Sequence, residues 1–205
     1  MSKVLYIKAN LKPEGQSRTF KISDKFIEEY KLQNPEDEIV TLDLYKENIN
    51  FLKYEDLNFI KGGGLNDRND ERRNNPILKY AYQFAEADKY VIAAPMWNLG
   101  MPAILKAYID YVSVTGITFK YTANGPVGLC EGKKAVHIVS RGGSYSEGQS
   151  AMFEMGDRYL KTIFSFFGIT NFTTIAADNL DVMGEDVEAI IKNAIKEAQT
   201  TVKEF

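Results

Sequence analysis

Along the chain, short stretches of consecutive apolar residues alternate with longer segments in which apolar residues recur every three or four positions. A continuous apolar run of strand length is typical of a strand covered on both faces of a parallel sheet. Tyr90 to Ala94 is such a run. We also interpret as strands four apolar-rich stretches, Val4 to Ala9, Glu38 to Leu44, Lys134 to Ser140, and Asn171 to Ala177.

The segments between these strands carry apolar residues three or four positions apart, which predicts helices. Strands that alternate with helices indicate a three-layer α/β fold with a parallel sheet. We predict a five-stranded sheet of order 2-1-3-4-5 with helices on both faces, in a single domain spanning residues 1–205. The predicted helices run from about Phe20 to Lys31, from an N-cap and first turn at Asn75-Pro76 to Ala85, from Met101 or Pro102 to Val112, from about Ser150 to Phe167, and from about Glu185 to Val202.

Two stretches depart from this alternation. Tyr45 to Asn75 is long and irregular and contains Gly62-Gly63-Gly64. We interpret it as a surface insertion, since loops of this length are usually functional or disordered. The other stretch, Gly116 to Leu129, has alternating apolar residues and the pair Asn124-Gly125, which favours a hairpin turn.

The composition narrows the class of protein. A net charge of -3 and a pI near 5.4 argue against a nucleic-acid partner, which requires a basic surface. No apolar run approaches the roughly 18 residues that would cross a bilayer, and the first residues lack the apolar region of a secretory signal. The single cysteine, Cys130, excludes an intramolecular disulfide and cysteine-cluster metal sites. We expect a cytoplasmic protein without a metal, nucleic-acid or membrane partner.

The loop after the third strand, Pro95 to Gly100, is too apolar and aromatic for a simple surface connection. Ligands of open α/β sheets bind at the carboxyl ends of strands. Trp97 offers a flat indole, Asn98 an amide that donates and accepts, and Gly100 a close backbone approach. These residues suit a planar heteroaromatic ligand, although a hydrophobic loop packed on its own domain remains the alternative.

Two further loops would meet the first at the same edge. Ser17 and Thr19 stand where a helix begins, so they form a candidate site for a phosphate monoester to which Arg18 adds charge, although both are also ordinary capping residues. Ser140 to Gly143 would present successive backbone N–H groups to a ring carbonyl, or form a simple glycine turn. Neither a dinucleotide-binding glycine motif nor a P-loop is present. A phosphate and an aromatic ring together describe FMN.

Several motifs also resemble those of one family. The motifs are Pro95-Met96-Trp97-Asn98, Thr118 to Thr122 followed by Asn124-Gly125-Pro126, and Ser140-Arg141-Gly142-Gly143. They are similar to motifs of the FMN-dependent NADH-azoreductases, which are small flavodoxin-like quinone reductases. The resemblance implies a homodimer with FMN at the subunit interface, NADH or NADPH as donor, two-electron reduction of quinones, and reductive cleavage of aromatic azo bonds.

The resemblance also assigns residues to the site. FMN would carry the hydride chemistry, so no catalytic side chain is expected. Asn10 stands where the family commonly has serine, and Trp97 and Leu99 replace tyrosine and phenylalanine. A substrate pocket is expected at Phe119, Tyr121, Tyr145 and Phe164. FMN is expected to contact Asn10, Ser17, Arg18, Thr19, Pro95, Met96, Trp97, Asn98, Leu99, Ser140, Arg141, Gly142 and Gly143.

The remaining polar residues have simpler interpretations. His137, the only histidine, lies mid-strand and is expected to be packed rather than catalytic. Asp110 and Glu154 are expected on solvated helix faces, and Cys130 is expected to be an incidental thiol. A one-electron flavodoxin-like carrier that docks on redox proteins is the alternative to the enzyme, and a flavin-free interaction module is a third interpretation.

Overall fold

The computed structural model describes residues 1–13, 15–60 and 73–205. The predicted insertion at Tyr45 to Asn75 is therefore described only in part, and its Gly62-Gly63-Gly64 triplet lies outside the described residues. The strands are β1 Lys3–Lys8, β2 Glu38–Asp43, β3 Lys89–Ala93, β4 Phe119–Thr122, β5 Gly125–Gly128, β6 Lys134–Ser140 and β7 Asn171–Ala177. The described α-helices are α1 Arg18–Gln33, α2 Leu57–Ile60, α3 Leu78–Glu86, α4 Ala103–Val112, α5 Gly156–Phe166 and α6 Val187–Thr201.

The main sheet has five strands in the order β2-β1-β3-β6-β7. Every neighbouring pair is parallel. Numbered by their position among these five strands, the order is 2-1-3-4-5, which confirms the prediction. The predicted hairpin is confirmed as the antiparallel pair β4-β5. Because all five main strands are parallel, their carboxyl ends meet at one edge of the sheet.

Both faces of the sheet are covered, as the continuous apolar run at Tyr90 to Ala94 predicted. Successive residues of a strand point to opposite faces. Leu5 therefore packs in the core cluster that contains residues of α3, α4 and α5, while its neighbour Val4 packs in the cluster that contains residues of α1 and α6. In the described part of the chain, no helix is both long and apolar enough to cross a membrane.

The predicted start of the fourth long helix at Ser150 is wrong. A 3-10 turn occupies Gln149–Phe153, and α5 begins only at Gly156. The carboxylate of Glu154 accepts hydrogen bonds from the N–H groups of Asp157 at 2.9 Å and Arg158 at 3.2 Å, so it caps this new start. Gly156 also lies so close to the backbone of Gly100 that a Cβ would be 2.9 Å from the Gly100 carbonyl.

Glu154 is therefore not on a solvated helix face, and that prediction is wrong. Its side chain is buried, and it also lies 3.5 Å from Nη2 of Arg141. Asp110 does lie on an exposed helix face, where it pairs with Lys106 one turn away. His137 is packed, as predicted, with only 2% of its surface exposed.

Candidate functional site

Three loops meet at the carboxyl edge of the sheet and enclose a cleft of about 130 Å³. They follow β1, β3 and β6, as the sequence predicted. A fourth loop, after β7, adds Leu180 and Asp181, and Lys12 adds a cation. The predicted FMN residues that line this cleft are Asn10, Arg18, Pro95, Met96, Trp97, Ser140, Arg141 and Gly142.

Ser17 caps the amino terminus of α1 at the bottom of the first loop. Its Oγ accepts hydrogen bonds from the N–H of Phe20 at 3.1 Å and from Nδ2 of Asn10 at 2.8 Å. Its own hydroxyl proton can therefore still be donated. The first intrahelical bond runs from Lys21 N–H to Ser17 O, so the N–H groups of Arg18 and Thr19 precede the helical ladder. The donors expected for a phosphate are present.

Asn10 organises this loop through both atoms of its side-chain amide. Its Oδ1 accepts from the N–H of Lys12 at 3.1 Å while its Nδ2 donates to Ser17. The Arg18 guanidinium donates to the carbonyl of Leu180 at 3.0 Å and to Oδ1 of Asp181 at 2.7 Å. Arg18 thus connects the first loop to the loop after β7. The Asp181 carboxylate balances the positive charge that Arg18 was expected to add at the phosphate site.

The second loop closes in a tight turn from Trp97 to Gly100. The N–H of Trp97 donates to the carbonyl of Gly100 at 3.1 Å, and the N–H of Gly100 donates back at 2.9 Å. Asn98 and Leu99 have φ values of 49° and 65°, so both adopt the left-handed conformation of a type I′ turn. Left-handed non-glycine residues cost roughly 1–2 kcal/mol each, and such strain often marks functional sites.

The third loop is anchored by its carbonyl groups. Those of Arg141, Gly142 and Gly143 accept hydrogen bonds from the N–H groups of Leu180, Asp181 and Asn179. The N–H groups of Gly142 and Gly143 have no acceptor among the described residues. A Cβ at Gly142 would lie 2.7 Å from Asp181 Oδ2, so the Asp181 side chain would have to shift to make room for it. The loop therefore offers the two backbone donors that the sequence predicted for a ring carbonyl.

Arg141 is a buried support of this loop, with 4% of its surface exposed. Its Nη1 donates to Ser146 Oγ at 3.1 Å and to Asp178 Oδ1 at 3.3 Å. The other oxygen of Asp178 accepts hydrogen bonds from the N–H groups of Tyr145 and Ser146. Nε of Arg141 is buried without a partner in the described part of the chain.

Behind the third loop, a polar cluster joins β6, β7 and α5. Oδ1 of Asp157 lies 2.8 Å from His137 Nδ1 and accepts from Thr174 at 2.7 Å, while Oδ2 lies 2.8 Å from Lys161 Nζ. Burial favours the neutral acid, but the hydrogen bonds from His137, Lys161 and Thr174 hold the pKa of Asp157 well below its usual range. The cluster fixes α5 against the sheet.

The predicted substrate pocket is not assembled around the cleft. Phe164 was wrongly placed there: it is 2% exposed, and its ring contacts Phe84, Tyr90, Phe167 and Phe172 in the core. The ring of Phe119 is buried against Phe166, and Tyr121 is exposed on the β4-β5 hairpin. Tyr145 lies in the third loop.

Sequence reasoning missed Asp178 and Asp181, which hold Arg141 and Arg18. Both follow the carboxyl end of β7. The rule that selected the other loops, that sites lie beyond the carboxyl ends of parallel strands, also points to this one.

The sheet order, the helices on both faces and the cleft at the carboxyl edge define a flavodoxin-like α/β protein. The sequence matches the family model described as having a flavodoxin-like fold over residues 2–202. The chain belongs to this family.

Within this family, several proteins are similar to the chain over its whole length. The chain is 69% identical to "FMN-dependent NADH:quinone oxidoreductase 2" of Clostridium acetobutylicum and 66% identical to an FMN-dependent NADH:quinone oxidoreductase of Clostridium perfringens, each match covering 100% of both chains. Among solved structures, it is similar to an azoreductase from Bacillus anthracis, with 40% identity, a TM-score of 0.89 and 100% of both chains covered. An FMN-dependent NADH-azoreductase from Bacillus anthracis in complex with FMN matches at 29% identity and TM-score 0.88, over 100% of this chain and 99% of that one. The predicted family is thus confirmed.

Proposed function

We propose that this chain is an FMN-dependent oxidoreductase that takes hydride from NADH, reduces quinones by two electrons and cleaves aromatic azo compounds to amines. The observation that carries the proposal is the convergence of three loops with complementary donors on one cleft. The names of the relatives, which are NADH:quinone oxidoreductases and azoreductases, support the same donor and acceptors.

Donors at and immediately behind the cleft fit the two ends of FMN; Arg18 and Gly142 line it, and Ser17 and Thr19 are buried beneath it. The amino terminus of α1, with the Ser17 hydroxyl and the N–H groups of Arg18 and Thr19, suits the phosphate, because free N–H groups and the helix dipole favour an anion there. The N–H groups of Gly142 and Gly143 suit the carbonyl oxygens of the ring. Met96 to Leu99 would hold the ring from the second loop.

The protein's part in the reaction is to bind and orient. When bound, FMN supplies the hydride chemistry. The backbone donors of the third loop would favour negative charge on the ring, since preorganised N–H groups stabilise developing charge. Trp97, half-buried at the cleft, would supply an apolar wall for a planar reactant.

A homodimer is part of this proposal. Leu99, Met152, Phe153 and Met155 are exposed apolar residues beside the cleft, and the N–H of Met155 donates to the carbonyl of Leu99. Clustered apolar surface of this kind often marks an interface. The sequence also predicts a dimer from the apolar residues of Ile117 to Tyr121 and of the helix containing Phe164, Phe166 and Phe167. That reason is partly wrong, because Phe164 and Phe167 lie in the core. A cytoplasmic location stays a prediction.

An anaerobic absorbance titration tests the proposed function. Purified protein should carry a flavin spectrum that NADH bleaches and that a quinone restores. A colourless protein that takes up no FMN would contradict the cofactor assignment. A flavin that reacts slowly with NADH but accumulates a long-lived radical spectrum would favour the one-electron carrier instead.

A further inference from the structure

A second cavity, of about 500 Å³, adjoins the cleft and is not used by the proposed function. It lies between the third loop, the beginning of α5 and the outer strand β7. Arg141 lines both cavities, so they are neighbours across a single buried residue. The volume is within the range of small-molecule sites. Its walls include Tyr145, Glu154, Arg158, Lys161 and Thr174.

The carboxylates of this cavity are already bonded. The Glu154 carboxylate accepts hydrogen bonds from the N–H groups of Asp157 and Arg158, and it also contacts the Arg141 guanidinium. Both oxygens of Asp157 are engaged by His137, Thr174 and Lys161. Both carboxylates are also buried. A ligand in the cavity would therefore meet little unbalanced negative charge.

The exposed charges of the cavity are positive. Arg158 is exposed, and within the described residues its guanidinium makes only a 3.9 Å contact with the sulfur of Met155. Lys161 has 47% of its side chain exposed, although its Nζ also contacts Asp157. The buried Nε of Arg141 is a donor without an acceptor in the described part of the chain. The cavity thus presents to solvent the Arg158 guanidinium, which has no carboxylate partner among the described residues, and Lys161, which is paired with Asp157. Both lie near the buried, partly unsatisfied guanidinium of Arg141.

We propose that this second cavity binds the pyrophosphate of the dinucleotide donor while its nicotinamide ring reaches the cleft. The inference rests on the proposed function. Quinones are uncharged, whereas the dinucleotide carries two phosphate charges and extends far beyond its reacting ring. Guanidinium groups are well suited to phosphate oxygens because they offer several N–H donors. A sulfonated azo dye is the other reactant that could bring an anion to this place.

The test compares two donors with the same reacting ring. NADH carries the pyrophosphate, whereas reduced N-benzylnicotinamide carries no phosphate. In the Arg158→Ala variant and in an Arg158→Ala/Lys161→Ala double variant, the KM for NADH should rise about tenfold or more, the scale of a lost charge-assisted hydrogen bond. The KM for the benzyl donor should not change. Lys192→Ala, an exposed position on α6, is the matched control and should leave both values unchanged.

A binding measurement separates this inference from the proposed function. Titration calorimetry with ADP-ribose, which keeps the pyrophosphate but lacks the nicotinamide, should show affinity in the wild type and about tenfold weaker affinity in Arg158→Ala. If the wild type fails to oxidise NADH, the proposed function is wrong, whereas ADP-ribose binding still reports on the cavity.

Three results would overturn the inference. The first is an unchanged KM for NADH and unchanged ADP-ribose affinity in both variants. The second is an equal change with both donors, which would mean that the cavity shapes the flavin site itself. The third is a raised KM for a sulfonated azo dye with an unchanged KM for NADH, which would identify the acceptor as the source of the anion.

Discussion

At the scale of single residues, Ser17 serves both the helix and the proposed cofactor. Its Oγ caps α1 by accepting the N–H of Phe20, and its own proton can be donated to a phosphate. Asp186 caps α6 in a similar way, since its Oδ1 accepts the N–H of Ala189 at 3.0 Å. Ser17 is hydrogen-bonded to Asn10, which lines the cleft, whereas Asp186 caps a helix whose residues do not line it. The two caps therefore allow helix stability to be separated from cofactor binding.

We expect Ser17→Ala and Asp186→Ala each to lower the free energy of unfolding by about 1 kcal/mol, the usual loss for a helix cap. Only Ser17→Ala should also weaken FMN binding, by about 1–3 kcal/mol, because a hydrogen bond to a charged group is lost. Urea unfolding and calorimetric titration of FMN measure the two effects. Equal FMN affinity in the two variants would contradict the phosphate assignment.

The site residues that could be predicted from the sequence are those whose position in a loop or helix is indicated by their neighbours in the chain. Ser17 precedes a helical stripe, and Gly142 and Gly143 follow a buried strand, so neighbouring residues reveal their positions. Asp181 could not be assigned a partner in this way, because it lies 163 positions from Arg18, which it binds. Its role depends on which loops meet at the sheet edge, and that is a property of the fold.

At the scale of elements, the strands were predictable and one helix start was not. A strand that is buried on both faces of the sheet has a mostly apolar sequence, which can be recognised without the structure, as in β3 and β6. The helical spacing of Met152 and Met155 continues into α5, yet both side chains are exposed. The true start is set by the Glu154 cap and by the contact of Gly156 with Gly100, and the latter joins residues far apart in sequence.

The polar cluster behind α5 should make stability depend on acid. The lowered pKa of Asp157 means that its ionised form contributes stability above the ordinary carboxyl pKa of about 4. That contribution is lost as the pH falls below this value toward the folded-state pKa. Between pH 7 and pH 3, wild type should therefore lose more unfolding free energy than Asp157→Asn. Urea unfolding at both pH values measures this difference, and identical losses would contradict it.

At the scale of the whole molecule, the exposed apolar residues near the cleft are expected to be covered by a second copy of the chain. Leu99 is 42% exposed, Met152 65% and Met155 51%, and they adjoin the strained turn at Trp97 to Gly100. Sedimentation should show a dimer that Met152→Glu weakens, because a buried charge opposes association. Met183→Glu, at an exposed position with 99% of its surface accessible, is the control. A fully active wild-type monomer at working concentration would contradict the dimer.

The use of one cleft by both reactants also predicts the order of the reaction. The donor and the acceptor must each stack on the same ring at hydride-transfer distance, so they compete for the same space. We expect ping-pong kinetics with parallel double-reciprocal lines. Because cleavage of an azo bond to two amines takes four electrons, two NADH should be consumed for each dye molecule and one for each quinone. Intersecting lines in initial-rate measurements would contradict this order.

Ser140 connects all three loops of the cleft. Its carbonyl accepts the N–H of Met96 at 3.0 Å, its hydroxyl bonds to that of Thr19 at 2.6 Å, and the residue itself begins the third loop. These bonds join protein groups to one another across the three loops. They should limit the loop entropy that is lost when FMN binds. Ser140→Ala should consequently slow or weaken FMN uptake by loosening the loops, even where the ring itself does not touch the hydroxyl.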